Sequence, residues 1–145
     1  MIMSLWQNEY LDTACLPSCV WNSQWNVTNG KLNLIVTQRS CDVPLGLPFN
    51  VTQYAMLANL IARDAGLKVG EMLYVINDAH IYVNQLDGIN EQIRVYKEKG
   101  CPPAPKLWIN PEIKDFFAFD NSKELLDIRL DGYEYNLKIK MPVSV

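Results

Sequence analysis

The segment from Gln38 to Asp42 places a carboxamide, a permanent cation, a hydroxyl and a carboxylate side by side. A guanidinium binds phosphate oxygens through paired hydrogen bonds, and a neighbouring hydroxyl adds another donor. Asn50 follows after a turn that contains glycine and proline, and its amide offers a heterocycle both a donor and an acceptor. These residue types predict a site for an anion attached to a polar ring.

Cys19 is the candidate nucleophile of this site. A thiol reacts as its thiolate, which neighbouring positive charge favours, and Arg39 is the cation that we expect beside it. An alternative is an inert thiol in the core, because free cysteine often behaves as a small hydrophobic residue. His80, the one histidine of the chain, lies two residues before Tyr82. In an extended segment their side chains share one face, although a lone histidine at a strand end is more often a structural residue than a catalytic one.

Hydrophobic spacing predicts the elements that position these residues. Two strands, 20–28 and 31–38, flank Asn29-Gly30, which is a strong signal for a two-residue hairpin turn. A helix is predicted over 51–65, where apolar residues recur at helical spacing. Asn50 then lies at the helix entrance, so a simple N-cap is the alternative to a binding role.

The second half of the chain is predicted as a buried strand, a helix, a proline-rich connector and a last strand, at 72–76, 86–96, 102–105 and 133–141. The first of these strands delivers His80 at or just past its end. We expect one domain over residues 1–145, since 145 residues with 49% hydrophobic and 20% charged residues is an ordinary globular composition.

Charge and cysteine content exclude several classes of protein. A net charge of −3 argues against nucleic-acid and membrane partners, which usually need a basic surface. Because the sequence has no run of about 18 to 20 apolar residues and no signal-peptide pattern at its start, we expect a cytoplasmic protein. The four cysteines are expected to be reduced thiols.

Three blocks in this order resemble the thymidylate synthase family: Leu16-Pro17-Ser18-Cys19, the segment 38–50 and the segment 77–82. The similarity covers the whole chain. It implies an α+β fold, with a mixed, largely antiparallel sheet and a long buried helix. Because family members are much longer, the resemblance also implies that this chain is their C-terminal catalytic part, without the N-terminal part.

The resemblance implies reductive methylation of dUMP to dTMP, with 5,10-methylenetetrahydrofolate as donor of methylene and hydride, and no metal. Cys19 would form the covalent adduct, with Arg39 and Asn50 as the other catalytic residues. The implied substrate-binding residues are Gln38, Arg39, Ser40, Asn50, His80 and Tyr82. The implied folate-binding residues are Asp42, Leu45, Gly46 and Val145, the last through its terminal carboxylate.

The family dimerises through sheet faces, so the resemblance implies a homodimer. It also implies that the family's proton-relay glutamate and further phosphate-binding arginines lie upstream of this chain. We therefore expect weaker dUMP binding than in the family and doubtful activity of the chain alone.

Three other hypotheses stay open. The first is a non-catalytic fragment or dimerisation module. The second is a pyrimidine hydroxymethylase of the same family; in those enzymes an aspartate takes the position of Asn50. The third is a zinc protein, because Cys15 and Cys19 have zinc-ligand spacing, and Cys41 with His80 would complete the ligand set.

Overall fold

The computed structural model describes residues 1–122 and 126–144. Its contacts divide the chain into two compact units, Met1–Tyr82 and Val83–Val145. The first unit contains, in chain order, β1 (Ile2–Ser4), α1 (Asn8–Leu11), β2 (Val20–Thr28), β3 (Lys31–Asp42), α2 (Gly46–Asp64) and β4 (Lys68–His80). The second contains a short 3₁₀ turn, then α3 (Leu86–Lys99), β5 (Lys106–Ile109) and β6 (Ile128–Asp131). That residues 1–145 form one domain stays a prediction.

The first unit is built on a four-stranded sheet with the order β1-β2-β3-β4. The pairs β1/β2 and β2/β3 are antiparallel, whereas β3 and β4 are parallel. Parallel neighbours need a crossover connection, and α2 supplies it. The predicted α+β fold, with a mixed, largely antiparallel sheet and a long helix, is confirmed.

The hairpin between β2 and β3 forms where it was predicted. Asn29 and Gly30 both have positive φ, 51° and 71°, as a type I′ turn requires. Pairing begins directly outside the turn with Thr28 opposite Lys31. β3 runs to Asp42, four residues beyond the predicted end at residue 38, so the polar segment of the candidate site belongs to the strand itself.

The core lies between α2 and one face of the sheet. Leu34 and Val36 of β3 are almost fully buried, and α2 turns Tyr54, Ala58 and Ala62 towards the same cluster. These three helical residues are four apart, so they lie along one stripe of the helix. The small alanines let the helix approach the strands closely, which fixes the position of Asn50 one turn inside the helix.

The predicted start of this helix is wrong. We predicted residues 51–65, but the helix begins at Gly46 with Leu45 as its N-cap. Pro48 lies in the first turn, where its missing N–H costs no hydrogen bond because the first amides of a helix have no intrahelical partner. Asn50 is consequently not an N-cap but a residue of the first full turns.

The strand predicted at 72–76 is confirmed and is longer than predicted, because β4 spans Lys68–His80. Its predicted burial is wrong, because β4 is the edge strand of the sheet and its side chains are half-buried or exposed. Its parallel pairing with β3 places Ser40 opposite Asp78 and Asp42 opposite His80. The polar ends of the two strands therefore lie side by side.

In the second unit the helix predicted at 86–96 is confirmed as α3, and residues 101–105 form an irregular connector. The strand predicted at 133–141 is wrong. β5 and β6 pair with each other, and Gly132 turns the chain with φ of 73° directly after β6. Within the described residues that follow, the alternating side chains have no ladder partner, and alternation alone does not make a strand.

None of the helices in the described part of the chain is both long enough and apolar enough to cross a membrane.

Leu34→Ala should lower the free energy of unfolding by about 2–5 kcal/mol, because it removes a side chain that is almost fully buried between β3 and α2. Gln53→Ala, at an exposed position of α2, is the matched control and should change it by less than about 0.5 kcal/mol. Urea denaturation followed by circular dichroism measures both. Equal effects of the two substitutions would contradict the assigned core.

Candidate active site

The candidate site lies at one end of the sheet, where β2 begins and where β3 and β4 end. Cys19 directly precedes β2, and its carbonyl oxygen accepts a 2.8 Å hydrogen bond from the backbone N–H of Arg39. Because β2 and β3 are antiparallel and β3 and β4 are parallel, these three strand ends must meet. The pairing brings the candidate nucleophile next to the polar segment of β3.

The guanidinium of Arg39 lies beside the sulfur of Cys19. Its Nη2 donates a 2.6 Å hydrogen bond to the carbonyl oxygen of Pro17 and lies 3.9 Å from Sγ of Cys19. The Nε–H of Arg39 is buried and has no hydrogen-bond partner among the described residues. The cation therefore lies next to the candidate nucleophile, and its remaining donors suit an anion.

Gln38 connects β3 to α2 through its side chain, which is 1% exposed. Nε2 donates to the backbone carbonyl of Ser40 at 2.8 Å and to Oδ1 of Asn50 at 3.2 Å. Oε1 accepts a 2.7 Å hydrogen bond from the hydroxyl of Tyr74 on β4. Asn50 is thus held by the strand rather than by its own helix.

The remaining polar side chains of the site lie where the parallel strands β3 and β4 end. Oγ of Ser40 lies 3.5 Å from Oδ2 of Asp78. Nδ1 of His80 lies 3.4 Å from the same carboxylate oxygen, within ion-pair distance but without hydrogen-bond geometry. The rings of His80 and Tyr82 meet edge to face with centroids 5.0 Å apart. The pair is therefore placed together, as their spacing in the sequence predicted.

The turn between β3 and α2 is held by a side chain of the site. Oδ1 of Asp42 accepts a 3.2 Å hydrogen bond from the N–H of Leu45. A Cβ built on Gly46 would lie 3.7 Å from Cβ of Asp42 and 3.8 Å from Oδ1 of Asn50. The turn therefore lies directly beside the amide of Asn50. Val145, the last residue predicted for this site, is outside the described residues.

Two residues beside the site, the half-buried Tyr74 and the buried Cys41, were not predicted as part of a nucleotide site from the sequence. Burial raises the pKa of the Tyr74 hydroxyl to about 12, so this group remains a hydrogen-bond donor at neutral pH. Burial also raises the pKa of the Cys41 thiol, with further contributions from Asp42 and Cys19 and an opposing hydrogen bond from Gln38. Tyr74 lies within the apolar run that predicted β4, and only the β3/β4 register brings it to Gln38.

Within residues 1–122 and 126–144, no three His, Cys, Asp or Glu side chains are grouped so that they could hold a metal ion. The four side chains of the zinc hypothesis are therefore not gathered into one ligand set.

Known proteins are similar to this chain over its whole length. The model of the thymidylate synthase family matches residues 1–145. A thymidylate synthase from Clostridium beijerinckii is 48% identical over 145 residues, which is 100% of this chain and 53% of that protein. The structure of the thermostable thymidylate synthase A from Bacillus subtilis superposes with a TM-score of 0.88 at 40% identity. That comparison covers 99% of this chain and 49% of the other.

The chain thus spans about half the length of both relatives. Over that half the sequence identity and the fold agree, and the match includes every residue of the candidate site. The chain belongs to the thymidylate synthase family.

Proposed function

We propose that this chain carries the nucleophile and nucleotide-binding part of a thymidylate synthase, which methylates dUMP to dTMP through a covalent adduct at Cys19. The observation that carries this proposal is the contact of Arg39 with Cys19, at 3.9 Å. The amide of Asn50 is held at the same end of β3 through Gln38. A nucleophile, a cation and an oriented amide are what addition to a pyrimidine ring requires.

In this mechanism the Cys19 thiolate adds to carbon 6 of dUMP, and the electron pair of the ring double bond moves towards O4. Carbon 5 becomes nucleophilic, and the amide of Asn50 stabilises the charge that develops on the O4 side. In other enzymes, loss of one such preorganised donor costs about 2.7–4 kcal/mol. Carbon 5 bonds to the one-carbon unit and loses its proton as the folate nitrogen leaves, which gives an exocyclic methylene. Hydride addition to that carbon then restores the ring double bond and expels Sγ of Cys19 from carbon 6.

The folate 5,10-methylenetetrahydrofolate supplies the one-carbon unit and the hydride when bound. The turn from Asp42 to Gly46 suits such a ligand, because Asp42 holds the turn and Gly46 leaves its inner side free of a side chain next to Asn50. We assign Asp42, Leu45, Gly46 and the terminal carboxylate of Val145 to folate binding.

The phosphate of dUMP is assigned to Arg39 and Ser40, and its deoxyribose to His80 and Tyr82. The buried Nε–H of Arg39 supports the first assignment, since it is a charged donor without a protein partner in the described chain. The adjoining His80 and Tyr82 rings support the second. A local site is also what the overall charge of −3 demands, because the surface as a whole does not attract anions.

We also propose a cytoplasmic homodimer that pairs through the sheet face opposite α2. This exposed sheet face contains Ile35, Leu73 and Val75, which are 36%, 59% and 43% exposed. Ile35 lies directly opposite Leu73 in the β3/β4 register, so the apolar side chains form one surface. A continuous apolar sheet face is a common protein interface.

Two alternatives remain in view. The chain spans about half the length of each relative, so it is a non-catalytic fragment or a dimerisation module if activity requires the other half of those proteins. A pyrimidine hydroxymethylase is disfavoured by the amide at Asn50.

Cys19→Ser should abolish the covalent adduct that the chain forms with 5-fluoro-dUMP and methylenetetrahydrofolate, because serine lacks a nucleophile of comparable strength. Intact-protein mass spectrometry detects the adduct. Cys15→Ser, at an exposed cysteine, is the matched control and should retain it. Absence of an adduct in the unsubstituted chain would favour the fragment hypothesis over the enzyme.

Arg39→Lys should weaken dUMP binding by roughly tenfold, about 1.5 kcal/mol, because an ammonium cannot replace the fork of donors. Binding of deoxyuridine, which lacks the phosphate, should change much less. Isothermal titration calorimetry measures both ligands, with Arg63→Lys near the end of α2 as the control. An equal loss for the two ligands would refute the phosphate assignment.

Leu73→Lys should shift the chain from dimer to monomer in sedimentation velocity, because it places a charge among the apolar side chains of the exposed sheet face. Phe117→Lys replaces an apolar residue that is even more exposed, in the second unit, and should leave the dimer intact. A monomer before substitution, or a dimer that survives Leu73→Lys, would rule out this interface.

A further inference from the structure

An asparagine at position 50 does not by itself choose between uracil and cytosine. Uracil presents a donor at N3 and an acceptor at O4, whereas cytosine presents an acceptor at N3 and a donor at its amino group. The carboxamide of Asn50 has an oxygen and an NH2 group of nearly the same shape. In one orientation it matches uracil, and after a flip it matches cytosine equally well. Base selection therefore depends on what fixes the orientation of this amide.

The fixed point is the backbone carbonyl of Ser40, which can only accept a hydrogen bond. The end of the Gln38 side chain that lies 2.8 Å from it must therefore be the NH2 group. The second proton of that group points to Asn50 at 3.2 Å, where it needs an acceptor, so the Asn50 oxygen must face Gln38. The NH2 group of Asn50 is then directed away from Gln38. For a pyrimidine whose N3 lies on the Gln38 side of Asn50 and whose C4 substituent lies on the far side, this orientation matches uracil.

Tyr74 closes this chain of hydrogen bonds at its other end. With the NH2 group of Gln38 committed to Ser40 and Asn50, Oε1 of Gln38 needs a donor, and the Tyr74 hydroxyl supplies it at 2.7 Å. The Gln38 side chain is 1% exposed, so bulk water cannot substitute for this donor. A buried acceptor without a donor is unfavourable, so loss of the Tyr74 hydroxyl would displace the Gln38 side chain and release its hold on the Asn50 amide.

We propose that Tyr74 is a positioning residue for base selection, which holds the Asn50 amide, through Gln38, in the orientation that accepts uracil and rejects cytosine. This inference rests on the proposed function, because it takes a pyrimidine nucleotide as the ligand of Asn50. Tyr74, on β4, would then contribute to base specificity without touching the substrate. Because its position depends on the pairing of β3 with β4, base selection would depend on that pairing as well.

The test compares dissociation constants for dUMP and dCMP, measured by NMR titration of the whole chain. Tyr74→Phe should reduce the preference for dUMP over dCMP at least tenfold, by weakening dUMP binding and strengthening dCMP binding. Tyr54→Phe is the matched control, since Tyr54 is a tyrosine of the core against which Tyr74 packs, and this variant should keep the original preference. A purely structural role of Tyr74 would weaken both ligands equally and leave their ratio unchanged.

Gln38→Leu provides a second variant that frees the Asn50 amide without changing Tyr74, and its preference should also fall at least tenfold. The inference alone is overturned if the unsubstituted chain prefers dUMP and either variant keeps that preference. A chain that binds neither nucleotide before substitution overturns the proposed function, and the inference with it.

Discussion

The pairing register of β3 is the constraint on which the candidate site depends. This strand is held on one side by β2 in the antiparallel direction and on the other by β4 in the parallel direction. A slip of one residue would exchange the two faces of the strand, so that Leu34 and Val36 would leave the core and Gln38 would leave the site. The same hydrophobic burial that stabilises the sheet therefore fixes the positions of the reactive groups.

The site shows how buried polar groups acquire a defined geometry. Gln38 is almost fully buried, and its hydrogen bonds reach β4 through Tyr74, α2 through Asn50 and its own strand through the carbonyl of Ser40. Within a low-dielectric core each of these groups needs its partner, so the network tolerates few alternative arrangements. Arg39 differs, because its Nη2 is held by the Pro17 carbonyl while its buried Nε–H has no partner in the described chain.

Local patterns predicted the parts of the fold whose causes are local. The Asn29-Gly30 turn fixed the hairpin, and the helical spacing of apolar residues located α2 and α3. The start of α2 was predicted too late, because Pro48 was taken as a break although the first helical turn tolerates proline. The strand predicted at 133–141 failed because a strand needs a partner, and no periodicity in the sequence reveals whether one exists.

The residues of the candidate site also divide into those with a signal in the sequence and those that only distant strand pairing reveals. Cys19, Arg39 and Asn50 were identified by residue type and by resemblance to the family, and the structure places them around the end of β3. Tyr74 carried no signal, since it lies in an apolar run and meets Gln38 only through the register of two parallel strands that are far apart in the sequence. A single sequence does not show which of its distant strands pair with each other.

The most direct test of the account is an amide chemical-shift map of the whole chain titrated with dUMP. The account predicts that the perturbed signals cluster at Cys19, at residues 38–42, at Asn50 and at His80 and Tyr82, with saturation as dUMP is added. Perturbations confined to the exposed sheet face, or signals that do not move even at millimolar dUMP, would contradict it.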